Sequence, residues 1–277
     1  MKKITIFIAV ILFALSYSQT NRFYYEVKMR NTNADDYRTS GMVLDINPES
    51  IKFYDEDFIE VDSLNKAAEE KKVGYGSRAS TKTDQLIVRK PNSFKNTWYR
   101  DFFDYFAVQT NDEMTWKILP ETTTYQGYNL QKATTEFGGR SWIAWFCKEI
   151  PINEGPYKFR GLPGLIFLLS DTNEDVIYKL VKNKKLNYTY NTNNFLEKHY
   201  DKNAVKISLK KYNDYLIDIY ENPTRMFRDQ VNNGSSVSFK DKEVKSPEEL
   251  NQMKKNMQRM IKSRYIPVEL NTRPNFQ

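Results

Sequence analysis

The residue types that most often carry catalysis are scarce in this chain, which has one histidine, His199, and one cysteine, Cys147. A serine or cysteine nucleophile needs a base such as histidine, but His199 lies in the polar run 195–201, which predicts an exposed position. Cys147 ends the apolar run 142–147, a setting that disfavours a reactive thiolate and predicts a core residue. The sequence contains no Gly-x-Ser-x-Gly elbow, no His-Glu-x-x-His and no phosphate-binding glycine loop.

Acidic residues crowd one early segment, at Asp55, Glu56, Asp57, Glu60 and Asp62. Their oxygens could bind a hard cation, but the spacing differs from an EF-hand loop and no glycine supplies its sharp turn. We interpret the segment as a solvated acidic loop. One histidine and one cysteine also exclude the usual structural zinc sites. We therefore predict no metal site and no cofactor.

A second acidic pair, Asp101 and Asp104, lies close to Arg100. Two carboxylates facing one cleft could act as the acid and the base of a hydrolase, as in glycosidases. The spacing alone does not show that these two side chains converge. A carboxylate hydrolase therefore stays open as an alternative, while the absence of catalytic motifs favours a protein that is not an enzyme.

A possible ligand surface is formed by Arg140, Trp142 and Trp145, because an arginine beside tryptophans could stack on a sugar or a peptide. The two tryptophans are an odd number of positions apart, so in a regular strand they face opposite sides. One tryptophan is then expected in the core, and only the other could belong to a binding surface.

The N-terminus has the pattern of a cleavable secretory signal: Lys2 and Lys3, then the apolar run 4–15, then the small residues Ser16 and Ser18 at the third and first positions before the cut. The apolar run is shorter than the ~20 residues that a membrane span needs. We predict a signal peptide over residues 1–18 and a mature chain that begins at Gln19. No cysteine lies near the cleavage point, so we expect a soluble exported protein, periplasmic or secreted, without a lipid anchor at that site.

The formal net charge is +7, and most of the charges are interspersed along the chain. One basic cluster occurs near the C-terminus, at Lys254, Lys255, Arg259, Lys262 and Arg264. Such a cluster could meet lipid phosphate or nucleic acid. In an exported protein we interpret it as a solvated helix face and expect no nucleic-acid partner.

Apolar residues alternate with polar ones along the first two thirds of the chain, as at Phe23, Tyr25 and Val27 and again at Met42 and Leu44. This period predicts strands that pair across short turns. Two hairpins are expected, one joining 126–135 to 141–148 through Gly138-Gly139 and one joining 165–170 to 176–181.

Helical spacing dominates after residue 205. It predicts a helix over 208–220, a second short helix after Asn222-Pro223, and a third that begins with a capping box at Ser246. The third helix carries an apolar stripe that we expect to dock on a sheet, formed by Leu250, Met253, Met257, Met260 and Ile261. An earlier short helix is expected over 62–70.

The predicted class is α+β: a predominantly antiparallel, curved β-sheet, as a meander or half-barrel, covered by C-terminal helices. The signal peptide would precede a single β-rich domain over residues 19–277. The helical C-terminal third of that domain covers about residues 205–265. The sequence shows no internal repeat and no low-complexity linker.

Glycine and proline concentrate between residues 150 and 164. Proline fixes φ and biases the preceding residue to extended geometry, and Leu162-Pro163-Gly164 predicts a type II turn. The apolar residues around these turns are too many for an exposed loop. We therefore predict a segment that folds back onto the core and leads into a buried strand over 165–169. The residues on which this segment depends, which are structural but could also bind, are Gly155, Pro156, Gly161, Leu162, Pro163, Gly164, Leu165 and Ile166.

The run 161–166 reads Gly-Leu-Pro-Gly-Leu-Ile and resembles the motif that names the GLPGLI family of exported bacterial proteins. The upstream Ile150-Pro151 and Gly155-Pro156 are similar to that family's pattern. The ending 266–270 resembles its Asn-Pro-Ile-Glu-Leu close, with isoleucine for asparagine and valine for isoleucine. The resemblance implies export in Gram-negative bacteria and an association with outer-membrane receptors of the TonB-dependent type. It supplies no catalytic residues.

Together these features favour a noncatalytic, exported envelope protein that acts as a binding or accessory factor for outer-membrane machinery. The expected partner is an outer-membrane receptor or another envelope protein. A carrier of an apolar ligand, similar to lipoprotein-sorting carriers, is an alternative, as is the carboxylate hydrolase. The sequence does not determine the oligomeric state.

Overall fold

The computed structural model describes residues 19–31, 36–72, 76–239, 242–264, 267–272 and 274–276. The predicted signal peptide lies outside the described residues, as does Ile266 of the C-terminal pentapeptide. The chain divides into two compact units, one reaching to Ile207 and one from Ser208 onward. The prediction of a single mature domain stays a prediction, and the two units are described separately.

The first unit is built on strands that follow the predicted alternation. They are β1 (Thr20–Arg30), β2 (Tyr37–Ile46), β3 (Ile51–Asp55), β4 (Leu86–Arg89), β5 (Lys95–Phe102), β6 (Asp104–Asn111), β7 (Lys117–Tyr125), β8 (Tyr128–Phe137), β9 (Arg140–Cys147), β10 (Leu165–Asp171), β11 (Val176–Leu186), β12 (Lys198–His199), β13 (Lys202–Asn203) and β14 (Val205–Ser208).

Within the described residues, twelve of these strands form one sheet in the order β14-β6-β5-β4-β3-β2-β1-β11-β10-β9-β8-β7. The first and last strands in this order are open edges, and the pairing is mostly antiparallel, as between β1 and β2. Both predicted hairpins are present, β8–β9 and β10–β11. The α+β class and the curved, mostly antiparallel sheet are confirmed.

One face of the sheet, which we call the inner face, carries the alternating apolar residues of β1. Phe23, Tyr25 and Val27 are buried there, and Val27 pairs with Tyr178 of β11 across the ladder. The inner face continues through Phe53 of β3, which contacts Tyr25 with ring centroids 6.3 Å apart. This half-buried pleated geometry suits aromatic residues.

The other face of strands β2–β6, the outer face, is covered by α1 (Asp57–Glu70) and by a π-helical turn, Asn193–Glu197. Phe58 of α1 stacks on Phe195 of the turn at 5.3 Å, and both belong to one buried cluster with Tyr54. The predicted short helix is therefore present but begins five residues earlier. Acidic side chains in its first turn, Asp57 and Glu60, favour that start because they complement the helix dipole.

The second unit contains α2 (Leu209–Glu221), α3 (Arg225–Asn232), the hairpin β15 (Val237–Phe239) and β16 (Lys242–Val244), α4 (Pro247–Arg264) and a 3₁₀ turn, Leu270–Thr272. Ser246 Oγ accepts the backbone N–H of Glu249 at 3.2 Å, which confirms the predicted cap. The apolar stripe of α4 packs within this unit, where Met253 and Met257 join Val231 and Val244. No helix in the described ranges has both the length and the apolar content to cross a bilayer.

Candidate functional site

The segment between β9 and β10, which we call the ribbon (150–164), packs against the inner face of the sheet. Every residue from Glu154 to Arg160 is buried. Phe159 packs against both Trp142 and Tyr178, with ring centroids 4.6 and 6.4 Å away. Tyr25 Oη donates to the carbonyl oxygen of Ile166 at 2.6 Å, where the ribbon joins β10. The ribbon therefore covers the central part of the inner face of the sheet.

Three glycines of the ribbon are required for different physical reasons. A Cβ on Gly164 would overlap the carbonyl oxygen of Cys147 and stand 2.6 Å from its carbon. A Cβ on Gly155 would stand 2.7 Å from Ile166 Cδ1. Gly161 has φ +100°, a left-handed conformation that favours glycine. The type II turn predicted at Leu162-Pro163-Gly164 is wrong, because it needs a positive φ at Gly164 and the structure shows none there.

Two arginines and one glutamate form a buried ionic cluster that links the ribbon, through Glu154 and Arg160, to Arg89 of β4. Arg89 donates to Glu154 from both Nε and Nη2, and Arg160 Nε donates to the other carboxylate oxygen at 3.2 Å. Arg89 Nη1 also donates to the Tyr157 carbonyl at 2.8 Å. Burial raises the pKa of the nearby Tyr25 hydroxyl, and the charge of Glu154 adds to this effect. The cluster ties the ribbon to β4 rather than offering charge to a ligand.

A second buried ion pair holds the other side of the ribbon. Lys158 Nζ lies 3.2 Å from Asp112 and 4.8 Å from the ring centroid of Trp98. Asn96 Nδ2 donates to the same aspartate at 2.8 Å.

The residues singled out in and around the 161–166 motif differ in their exposure to solvent. Two of them, Gly161 and Pro163, are exposed, and the others are buried: Gly155, Pro156, Leu162, Gly164, Leu165 and Ile166. Any ligand contact by the motif would therefore involve these two exposed residues.

The two tryptophans of the predicted ligand surface lie on opposite faces of the sheet. Trp142 is buried on the inner face, and its Nε1 donates to the Phe137 carbonyl at 2.9 Å. Arg140 is held by Asp171 and Asp175 at 2.8 and 2.9 Å. Trp145 is half-buried on the opposite face, with Lys132 Nζ 5.9 Å from its ring. Of the two tryptophans, Trp145 is the one left partly accessible to a ligand.

His199 is buried, so the prediction of an exposed histidine is wrong. Its ring stacks on Tyr105 at 5.2 Å, and its Nε2 lies 3.6 Å from Asp101 Oδ2. Burial lowers the pKa of His199, and the charge of Asp101 opposes that effect. Asp104 is exposed at the start of β6. The aromatic residues flanking His199 in sequence were the available signal for its burial.

Chemically, a histidine next to a carboxylate can move a proton, but a triad also needs a nucleophile in reach of the histidine. Nδ1 of His199 is buried without a hydrogen-bond partner among the described residues. The described residues also contain no group of three histidine, cysteine or carboxylate side chains arranged to hold a metal ion.

Asp55 is buried, which corrects the prediction of a solvated acidic loop. Its carboxylate accepts from Thr81 Oγ1 at 2.7 Å and from the backbone N–H of Lys82 at 2.9 Å. Burial raises the pKa of Asp55 to about 6, although the two hydrogen bonds oppose this shift. Asp55 thus fastens the segment after α1 to the end of β3.

Three other acids of that segment, Glu56, Asp57 and Glu60, line an open cleft of about 560 Å³, which we call the α1 cleft. Sequence reasoning missed this site because its lining comes from two strands and from α1, which are separate in the sequence. The lining consists of Tyr24, Gly41, Glu56, Asp57, Ile59, Glu60, Ser63 and Leu64. Because Gly41 has no side chain, the Glu56 carboxylate can lie across the floor: a Cβ there would stand 2.5 Å from Glu56 Oε2.

A lysine from β11 reaches the edge of the α1 cleft. Lys182 Nζ lies 4.2 Å from the ring centroid of Tyr24 and 3.4 Å from Glu56 Oε1. The Lys182 side chain is 60% exposed, so it lies at the surface and the cleft does not enclose it. A second lysine, Lys82, pairs with Asp57 of the lining. The cleft thus combines carboxylates, one aromatic ring and apolar side chains.

Comparison with known proteins finds a family model, of no assigned function, that matches part of the chain. A family model described as "Protein of unknown function (Porph_ging)" matches residues 106–168, from β6 to the middle of β10. The matched segment includes the ribbon and the 161–166 motif, while the narrower GLPGLI resemblance stays a prediction. No curated protein matches the chain.

Two solved structures resemble part of the chain: "Structure of PNGF-II in C2 space group" and "Structure of PNGF-II in P21 space group". Their TM-scores are 0.46 and 0.45, each at 14% identity and over 71% of this chain. The chain spans about a third of the length of these structures, 32% and 33%.

Proposed function

We propose that this protein is an exported, noncatalytic binding factor of the cell envelope that contacts a partner protein through the α1 cleft. The partner would be an outer-membrane receptor or another envelope protein. The observation that carries this proposal is the cleft itself: an open, mixed polar and apolar depression on the outer face, where the exposed side chain of Leu64 is available for contact.

The arrangement of the inner face supports binding at the surface over transport of an apolar ligand. A carrier needs an empty apolar interior, but Tyr157, Phe159 and Leu162 occupy the centre of this sheet. The hydrolase alternative also gains no support, because Asp101 faces His199 while Asp104 is exposed. A carboxylate hydrolase would need both acids to face one cleft.

The proposal is tested by site-specific photo-crosslinking in cells. A photoreactive residue replaces Leu64 in the full-length chain, and a matched control replaces Tyr188, which is similarly exposed but outside the cleft lining. We expect a discrete adduct with one envelope protein from position 64 and none from position 188. The same adduct from both positions, or none from position 64, would contradict the proposal. Mass spectrometry of the adduct should also find Gln19 as the N-terminus, and an adduct retaining Met1 would contradict export with cleavage.

A further inference from the structure

We infer that the α1 cleft receives a lysine or arginine side chain of the partner. This inference rests on the proposed function and names the chemistry of the occupant. It depends on three features of the lining: an excess of carboxylates, an aromatic ring that already faces an ammonium group, and an apolar wall of suitable length.

The first feature is charge. Glu56, Asp57 and Glu60 place three carboxylates on one lining, whereas the two lysines that reach them, Lys182 and Lys82, stand at its edges. Both lysine side chains are more than half exposed, so solvent screens their ion pairs. Three carboxylates against two lysines leave an excess of one negative charge, which complements a cationic side chain.

The second feature is the contact between Lys182 and Tyr24. An ammonium 4.2 Å from the ring centroid and 3.4 Å from a carboxylate oxygen shows that this corner can hold a cation between an aromatic face and an anion. Because Lys182 is exposed, it can rotate away when a competing cation enters. The chain's own lysine thus occupies the position that we assign to the partner's side chain.

The third feature is the apolar part of the lining. Ile59 and Leu64 belong to the same wall of α1, and Leu64 is 56% exposed. Lysine and arginine bury their methylene stems along apolar surface and keep the charged head in polar surroundings. A bare metal ion would make no use of this wall. The combination selects a long cationic side chain.

The experiment uses four synthetic nine-residue peptides of glycine and serine, each with three lysines, arginines, norleucines or glutamates at alternate positions. Binding to the mature protein is followed by NMR shifts of amides that line the cleft. We expect the lysine and arginine peptides to bind and the norleucine and glutamate peptides not to bind. The double variant Glu56→Gln/Asp57→Asn should weaken lysine-peptide binding at least tenfold.

A variant without the Lys182 ammonium tests whether this lysine competes with the peptide for the same position. Lys182→Met should tighten binding of the lysine peptide about threefold, because the internal cation is gone. Lys184→Met on the same strand is the control, since Lys184 is exposed and outside the cleft lining, and it should leave affinity unchanged. Equal effects of the two lysine variants would overturn the assignment of the Lys182 position.

The outcomes separate the inference from the proposed function. Equal binding of norleucine and lysine peptides would overturn the cationic occupant and leave the cleft as a binding site. A crosslink from position 64 with no peptide binding would also overturn the cationic occupant alone. Binding of the lysine peptide without any crosslink in cells would support the cation chemistry and contradict the proposed function.

Discussion

Gly164 lies directly against the peptide carbonyl of Cys147, so closely that an added Cβ would overlap that oxygen. Cys147 ends β9 just before the ribbon and Gly164 is the last residue of the ribbon, while the next residue, Leu165, pairs with Cys147 across the ladder. This contact closes the ribbon into a loop whose ends meet. The contact therefore determines where the chain re-enters the sheet as β10.

Replacing Gly164 with alanine should prevent this closure. The obstructing atoms belong to the backbone of β9, which cannot rotate away, so we expect a loss of more than about 3 kcal/mol or failure to fold. Gly127→Ala is the control: its Cβ would meet nothing within 4 Å, and the left-handed φ of +81° should cost only about 1 kcal/mol. Urea unfolding followed by circular dichroism compares them, and similar losses would contradict this account.

Removing the charge of Glu154 should leave Arg89 and Arg160 buried without their anion. We expect Glu154→Gln to destabilise the protein by about 3 to 5 kcal/mol. Glu121→Gln tests a surface pair, Glu121–Lys132, in which the glutamate is half exposed, and should cost less than about 1 kcal/mol. The midpoints of urea unfolding give both values. A small loss for Glu154→Gln would mean that the buried cluster relaxes or admits water.

The two tryptophans of β9 test which face of the sheet is buried, because they lie on opposite faces of the same strand. Trp142→Ala removes a buried ring that contacts Phe159, so we expect a loss of about 3 to 5 kcal/mol. Trp145→Ala removes a half-buried ring from the opposite face and should cost about 1 kcal/mol. Thermal and urea unfolding measure both. The reverse order of losses would contradict the assignment of faces.

Asp55 should make stability depend on pH. Its folded-state pKa of about 6 exceeds the ordinary value of 3.8, so the folded protein holds a proton that the unfolded chain releases. The stabilisation is complete below pH about 4 and is lost as the pH rises through about 6, by about 3 kcal/mol in total.

Asp55→Asn removes this dependence, so the difference in unfolding free energy between wild type and variant should fall between pH 4 and 7.5. His199 acts in the opposite direction, because its lowered pKa makes stability decline as the pH falls. Since His199 is present in both proteins, its contribution cancels in the difference. Parallel pH profiles of wild type and variant would show that Asp55 is ionised in the fold at acidic pH.

Sequence reasoning located most strands, because alternation reports directly which side chains face a core, as it did for Phe23, Tyr25 and Val27. It missed β5, where Lys95, Arg100 and Asp101 interrupt the alternation. It also placed Gln126 in a strand, whereas Gln126 and Gly127 adopt positive φ and form the turn between β7 and β8. Glutamine is uncommon in that conformation, so the turn carries little local signal.

The candidate site was harder to foresee. The α1 cleft joins Tyr24, Gly41 and Glu56, which come from β1, β2 and the residue before α1. Their proximity depends on the register of the β1–β2 ladder, which composition does not encode. The burial of His199 and Asp55 has the same origin, because each is enclosed by segments distant in sequence, such as Tyr105 over His199 and Thr81 beside Asp55.

The position of β1 in the sheet has a consequence for the order of folding. Although β1 is the first strand of the described residues, it lies between β2 and β11, and Thr20 pairs with Leu186. One side of its backbone stays unpaired until nearly the whole first unit has emerged, and loop closure over such a distance slows folding. During that interval the exposed edge can pair with other chains. Truncation before Val176 should therefore yield aggregates rather than a smaller folded sheet.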